Sequence, residues 1–406
     1  VRRPHGRYEA SPLVGVHCAI CGAGPVGLRA AVELRMLGAT VRVFERRLSF
    51  SRLNRLKLWE WVKFDLFALG ARQLLPKFGA GAGHLHIGIR QLQLILWKVC
   101  LLLGVEVHLG VQLFEDEAQT LRARPCREDS EAEAVLCDVL LEAGGPNSCA
   151  WPSAGLDFAV VGTAEAIGLV ANFERKPGPG EELKEFSWAR QFNQELFSRL
   201  EVELQANLEN IVYLRGEEAH YFVMTPRRRG LVACGAIADG GGFQVNKDIL
   251  RAHVAQIAAF FGIPADCGFA SEPQLFDFSK RKSCKSAMHI LGTHCHSPIL
   301  AAVVGDALLE PFWPEGLGIT RGFLGALDTV WELSSLTADT MQALRFGDHA
   351  LASGARATLE AVCQRREKTF KVLKQIGAAN QSQYLLSEER AFGLDPHTRY
   401  KGHLLS

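Results

Sequence analysis

Cys18-Ala19-Ile20-Cys21-Gly22-Ala23-Gly24-Pro25-Val26-Gly27-Leu28 decides the fold of this chain. The first four residues form an apolar run that reads as a short buried strand. Residues 22–27 spell G-x-G-x-x-G, a glycine turn opening into a helix. Ala30, Ala31, Leu34 and Leu37 continue at helical spacing, and Gly38 stops the helix. A second strand, 40–44, ends in Glu45, eighteen residues beyond Gly27. Each part has a task in holding a dinucleotide. Gly22 permits the tight turn, Gly24 lets the backbone approach a pyrophosphate, and Gly27 lets helix and strand pack closely. The helix N-terminus faces the phosphates, and Glu45 can accept hydrogen bonds from an adenosine ribose.

A second signal lies far along the chain. The run 299–304 is a buried strand by its length and β-branched content, and it ends in Gly305-Asp306. Gly316-Leu317-Gly318 then precedes a helix from Thr320. Asp306 can bind a ribityl or ribose hydroxyl, and the two glycines can bring backbone N–H groups to an isoalloxazine ring. An N-terminal adenine-dinucleotide turn with a distant Gly-Asp is the layout of FAD-binding hydroxylases rather than of NAD dehydrogenases.

These and other segments carry a family resemblance. FSRLNRLKLW (50–59), IGIRQLQLIL (87–96), ENIVY (209–213), HYFVMT (220–225), FDFS (276–279), VGDALLEPFWPEGLGITRGFLGALDTVW (304–331) and LDPHTRY (394–400) resemble the flavin monooxygenase domain of the MICAL proteins. The resemblance covers roughly residues 16–400. It implies an α/β, FAD-binding Rossmann-like fold of the p-hydroxybenzoate-hydroxylase type. An antiparallel-sheet substrate domain is interleaved in it, and a helical C-terminal tail follows. It also implies an FAD- and NADPH-dependent monooxygenase that oxidises methionine of filamentous actin through a flavin hydroperoxide, releasing hydrogen peroxide when uncoupled.

The same resemblance assigns residues. Glu45, Arg46 and Arg47 hold the adenosine part of FAD, Arg52 and Asn54 approach the pyrophosphate and flavin, and Val26, Leu53 and Leu113 join them as cofactor contacts. Physically, Arg52 can clamp a phosphate and Asn54 can hydrogen-bond the ring edge. Tyr221 stands near the flavin, Asp306 binds the FAD hydroxyl, and Gly316 and Gly318 line the ring. Trp313, in the Glu310-Pro311-Phe312-Trp313-Pro314 turn, stacks on the flavin or lines the path of a methionine sulfur. Trp313, Tyr221 and Asn54 are the expected catalytic residues. The chain departs from the family at Leu53, where His is usual, at Arg55 to Glu60 (usually Val-Leu-His-Leu-Trp-Pro) and at Leu317 of the usual Gly-Thr-Gly. A small-molecule aromatic hydroxylase of the same fold and a degenerate flavoprotein binding the cytoskeleton remain as alternatives.

Composition sets bounds. A chain of 406 residues exceeds one compact core. With 45 basic and 44 acidic residues, the net charge of +1 gives no drive toward nucleic acid or membrane. No apolar run reaches the roughly 18 residues of a spanning helix. Eleven cysteines, an odd number, point to reduced thiols in the cytosol, and Cys18-x-x-Cys21 reads as core. Cys284, His289, His294, Cys295 and His296 lack the geometry of a metal site, because adjacent His-Cys-His cannot aim three ligands at one ion. No hydrolase constellation appears. The missing initiator Met suggests a fragment of a longer protein. An isolated domain of this kind is expected to be monomeric, cytoplasmic and cytoskeleton-associated, with actin as its protein substrate.

Patterning divides the chain into a first FAD lobe (14–150), an antiparallel substrate domain (155–288), a second FAD segment (289–345) and a helical segment (346–406). A largely buried helix is expected over about 90–103 and an exposed hairpin or loop over 115–134. A Pro/Gly linker is expected at 177–180, followed by helical 189–204. A tail helix spans 355–390 and carries Arg365, Arg366, Lys368, Lys371 and Lys374, which with Arg227-Arg228-Arg229 would make a basic docking face.

Overall fold

The computed structural model describes residues 6–71, 85–127, 130–146, 150–152, 157–162, 165–176, 183–216, 219–239, 243–264, 266–291, 298–312, 315–346, 349–386 and 392–405. Trp313, the 177–180 linker and the His294–His296 cluster lie outside these residues.

The glycine-turn strand, His17–Cys21, is central in a six-stranded sheet. The order runs Met288–Leu291, Ile299–Val303, Val139–Glu142, His17–Cys21, Thr40–Glu45, Glu106–Leu109. The last five of these strands are parallel, and Met288–Leu291 pairs antiparallel at one edge. Parallel strands need covering on both faces, which is why they read as continuous apolar runs. Helices Pro25–Met36, Ile89–Leu102 and Gly318–Leu333 pack in the core on one side. A second cluster, with Ala19, Cys21, Leu140 and Ala301, is closed by Trp151 and the small sheet Val111–Glu115, Leu121–Pro125, Glu133–Ala134. The exposed hairpin or loop expected over 115–134 is instead a sheet that buries one face, with Leu121 and Ala123 in the core.

Residues 167–277 build a separate antiparallel sheet. Its order is Phe186–Ala189, Leu208–Arg215, Ala219–Pro226, Ile167–Glu174, Phe269–Asp277. Its inner face packs on helices Gln194–Leu204 and Lys247–Phe260 through Phe173, Phe197, Phe222 and Val254.

Three further expectations change. Helix Ile89–Leu102 buries only one stripe, with Leu92, Leu96 and Cys100 inside and Leu94 and Leu102 outside. Its apolar residues run right round the helix, so spacing could not say which face the core would take. The tail helix spans His349–Gln375 and not 355–390. Arg366 on it is fully buried, bonding Thr329, Thr369 and the Gly325 carbonyl, so it is no part of a basic face. Lys368, Lys371 and Lys374 do remain exposed.

The C-terminus is locked by charge. Arg399 Nη2 meets Asp328 Oδ1 at 2.6 Å, both fully buried, and the Tyr400 hydroxyl donates to Asp328 Oδ2 at 2.7 Å. Removing one partner of a buried pair strands the other charge, which costs about 3–5 kcal/mol. Asp328→Ala is therefore expected to lower unfolding free energy by about that amount in chemical denaturation. A loss below about 1 kcal/mol would contradict the latch.

Candidate flavin site

Backbone geometry makes the cradle. Gly22, at φ +100°, sits so close to the next strand's end that a Cβ there would lie 2.7 Å from the Ala143 carbonyl. A Cβ on Gly27 would lie 2.2 Å from the Gly22 oxygen. Gly24 differs: its nearest neighbour is 4.0 Å away. Pro25 starts the helix at its first position, and no side chain caps the end. Open space, glycine and helix N-terminus thus meet at one point, as a pyrophosphate requires.

The Glu45 carboxylate is fixed beside this turn. It accepts from Ala23 N and from Arg47 N, each at 3.0 Å. Two bonds leave lone pairs for ribose hydroxyls. Gln93, which sequence reasoning did not single out, donates to the Ala23 carbonyl at 3.0 Å and holds the turn from below. Only a polar residue on an apolar helix hinted at it.

Electrostatics gather the remaining residues. Arg52 keeps surface in solvent, yet its surroundings desolvate the charge enough to lower its pKa. Arg47 pushes the same way, while Asp306 and Glu45 oppose, so Glu45, Arg46, Arg47, Arg52 and Asp306 form one cluster. Burial pushes the Asp306 carboxyl up to about 6, against the pull of Arg52. Gly318 stands beside it, with a Cβ position 4.0 Å from Asp306 Oδ1. Gly316, at φ +66°, faces the Lys57 side chain, and its carbonyl accepts from Trp59 Nε1 at 3.3 Å. Val26 wedges between Gly305 and Gly322. Leu113 is buried, its side chain taken up by the core under the sheet.

The strands Arg55–Leu58 and Leu85–Gly88 pair antiparallel beside the cluster. The Asn54 backbone carbonyl accepts from Ile89 N at 2.9 Å, which ties this pair to a helix start. Between the pair and the antiparallel sheet lies a crevice lined by Arg52, Leu53, Arg55, Arg90, Asn172 and Tyr221. Tyr221 is 6% exposed, and burial raises its phenol pKa although the Arg55 backbone bonds it. Asn172 was not foreseen; a lone amide in the apolar run 167–173 was the available signal. The donor set suits FAD: cations for its diphosphate, carboxylates for its hydroxyls, and an open glycine where the backbone must approach.

Comparison with known proteins bears on this arrangement. The family model described as "Mical, Rossman domain" matches residues 165–260. That stretch carries the antiparallel sheet rather than the glycine turn. The [F-actin]-monooxygenase mical1 of Danio rerio is 36% identical over 412 residues, covering 96% of this chain and 32% of that protein. Over nearly its whole length the chain is similar to the MICAL proteins. Human [F-actin]-monooxygenase MICAL2 is 35% identical over 428 residues, covering 98% of this chain and 20% of that protein. The chain thus spans a third or less of these relatives' lengths. Among solved structures, the OxyS anhydrotetracycline hydroxylase from Streptomyces rimosus matches with TM-score 0.56 and 17% identity, over 89% of this chain and 73% of that one. The aromatic hydroxylase CabE matches with TM-score 0.54 and 16% identity, over 87% and 68%. This chain has the fold of p-hydroxybenzoate-hydroxylase-type flavin hydroxylases.

Asp306 gives the site a pH signature. Its folded pKa lies above that of a free carboxyl near 4, so between about pH 4 and 6 the folded state holds a proton that the unfolded state has lost. Its contribution to stability is therefore present at low pH and lost as pH rises through that window. Asp306→Asn is expected to flatten the slope between about pH 4 and 6. Denaturation midpoints of both proteins without added cofactor check this, and parallel curves would refute it.

Proposed function

We propose that this domain is an FAD- and NADPH-dependent monooxygenase that oxidises methionine of filamentous actin and releases hydrogen peroxide when uncoupled. The observation that carries the reading is the convergence of the open Gly24 cradle, Glu45, Arg52 and Asp306 on one cluster beside a crevice. The relatives' names, [F-actin]-monooxygenase, support the substrate.

In this reading the amides of the helix Pro25–Met36 and the Arg52 guanidinium bind the diphosphate. Glu45 takes the adenosine ribose, and Asp306 accepts from a ribityl hydroxyl in its ionised form. Bound flavin supplies hydride acceptance from NADPH and oxygen transfer to a sulfur nucleophile. Gly316 and Gly318 offer backbone amides to the ring edge, and Asn54 offers its side-chain amide. Tyr221, buried and held neutral, walls the crevice against water. Among the described residues, the crevice lining carries no carboxylate pair.

The basic face for actin is narrower than the sequence suggested. Arg227 pairs with Glu209, Arg229 with Glu201, Arg356 with Glu360 and Arg365 with Glu332, while Lys368, Lys371 and Lys374 of the tail helix are exposed.

Gly24→Leu fills the one open position of the cradle. The purified variant is expected to fold but to lose its bound FAD and the flavin absorbance. Stoichiometric FAD in the folded variant would displace the site from this turn.

Catalysis is read from NADPH oxidation. The domain alone is expected to consume NADPH slowly with peroxide release, and filamentous actin to accelerate consumption. The acceleration should weaken from about 50 to 200 mM salt as screening shortens to below roughly 10 Å. Mass spectrometry should find oxygen added to actin methionines. No acceleration and no added oxygen would leave an oxidase or an inactive flavoprotein.

A further inference from the structure

The strand Ile167–Glu174 sends alternate residues to two destinations. Ile167, Leu169, Ala171 and Phe173 enter the antiparallel sheet's own core. Asn172 lines the crevice beside its cross-strand partner Tyr221. It is 2% exposed. Its Nδ2 donates to Ser271 Oγ at 3.0 Å, and its Oδ1 has no hydrogen-bond partner. Native proteins rarely leave a buried amide oxygen unsatisfied, so an orphan in a crevice wall points to a ligand.

The lining cations Arg52, Arg55 and Arg90 carry donors only. Beside them the crevice offers a buried acceptor, Asn172 Oδ1, whose hydrogen bond is unmade. A phosphate or carboxylate would suit the guanidinium groups but bring no proton to Asn172. An aliphatic or thioether group would satisfy neither. A planar amide or imide edge satisfies both, since its N–H donates to Asn172 Oδ1 and its neighbouring carbonyl accepts from an arginine.

We propose that Asn172 is a recognition residue of this crevice that reads the N–H of a planar amide or imide edge. Two carriers of that chemistry follow from the function proposed above, on which this inference rests: the pyrimidine ring of the flavin and the carboxamide of the nicotinamide.

The test compares ligands with and without the N–H. Apoprotein is titrated with FAD and with N3-methyl-FAD, which keeps the ring carbonyls and lacks the proton. In a second arm, calorimetry compares NADP+ with its 3-acetylpyridine analogue, which keeps the carbonyl and lacks the amide N–H. The wild-type protein is expected to bind the N–H-less member of one pair about tenfold more weakly, the worth of one buried hydrogen bond. The pair that responds identifies the carrier. Asn172→Leu should bind both members of that pair alike. Equal affinities within both pairs for the wild-type protein overturn the proposal, with no variant needing to fold. If FAD itself binds normally in that outcome, the FAD assignment stands and only the role of Asn172 falls. If neither FAD nor NADP+ binds at all, both fall together.

Discussion

The close approach at Gly27 is the contact on which the rest depends. With no Cβ, the first turn of helix Pro25–Met36 presses onto the Gly22 carbonyl, 2.2 Å from where a Cβ would stand. The neighbouring Val26 then reaches between Gly305 and Gly322, within 3.3 Å and 2.4 Å of their missing Cβ atoms. The glycine turn and the 305–322 segment, far apart in the chain, are thereby brought together at the strand ends of one parallel sheet. That is where open α/β sheets place ligands, since strand ends, glycine turns and helix N-termini coincide there. A larger residue at any of these glycines would push the helices apart and open the cradle before it changed any polar contact.

Charge is used inside the fold to fix what packing alone leaves adjustable. Arg29 is fully buried and grips Asp65 through two bonds, at 2.7 and 2.8 Å, and Glu33 at 2.7 Å. This bidentate geometry sets helix Glu60–Ala68 against helix Pro25–Met36 at a defined angle. Arg399, Asp328 and Tyr400 do the same for the C-terminal turn on helix Gly318–Leu333, and Arg366 does so for the tail helix. Hydrophobic contacts tolerate sliding, whereas a buried ion pair displaced by an ångström loses its compensation. The cofactor side of the molecule is thus held by directional contacts on both of the helices that flank the glycine turns.

The antiparallel sheet meets this frame through few groups. Tyr221 bonds the Arg55 backbone, and the Arg55 guanidinium lies against Gly216, 3.0 Å from the Cβ position. The sheet's apolar inner face makes its own core with its own helices. Its other face carries a small apolar cluster of Val170, Leu214 and Tyr221, and Tyr221 with Asn172 walls the crevice. Two cores joined across a polar seam give a site whose floor and roof belong to different sheets. The strand Arg55–Leu58 touches both sides of that seam, with Arg55 against Gly216 and Lys57 against Gly316.

The sequence by itself determined the strand, glycine turn, helix and second strand of 17–45, because spacing, apolar runs and the demand for missing Cβ atoms are local properties. It also marked Asp306 and the 316–318 glycines, because a strand followed by Gly-Asp is a local pattern. Which face of helix Ile89–Leu102 would be buried was not legible, since apolar residues surround it and only the sheet beneath chooses among them. Arg366 looked like one more cation on a basic helix, until the helix Gly318–Leu333 supplied Thr329 and the Gly325 carbonyl to accept its protons. Gln93 and Asn172 each showed only as an amide in an apolar stretch. Their meaning comes from which backbone carbonyl or crevice they face, and that is fixed by long-range packing, which no local periodicity encodes.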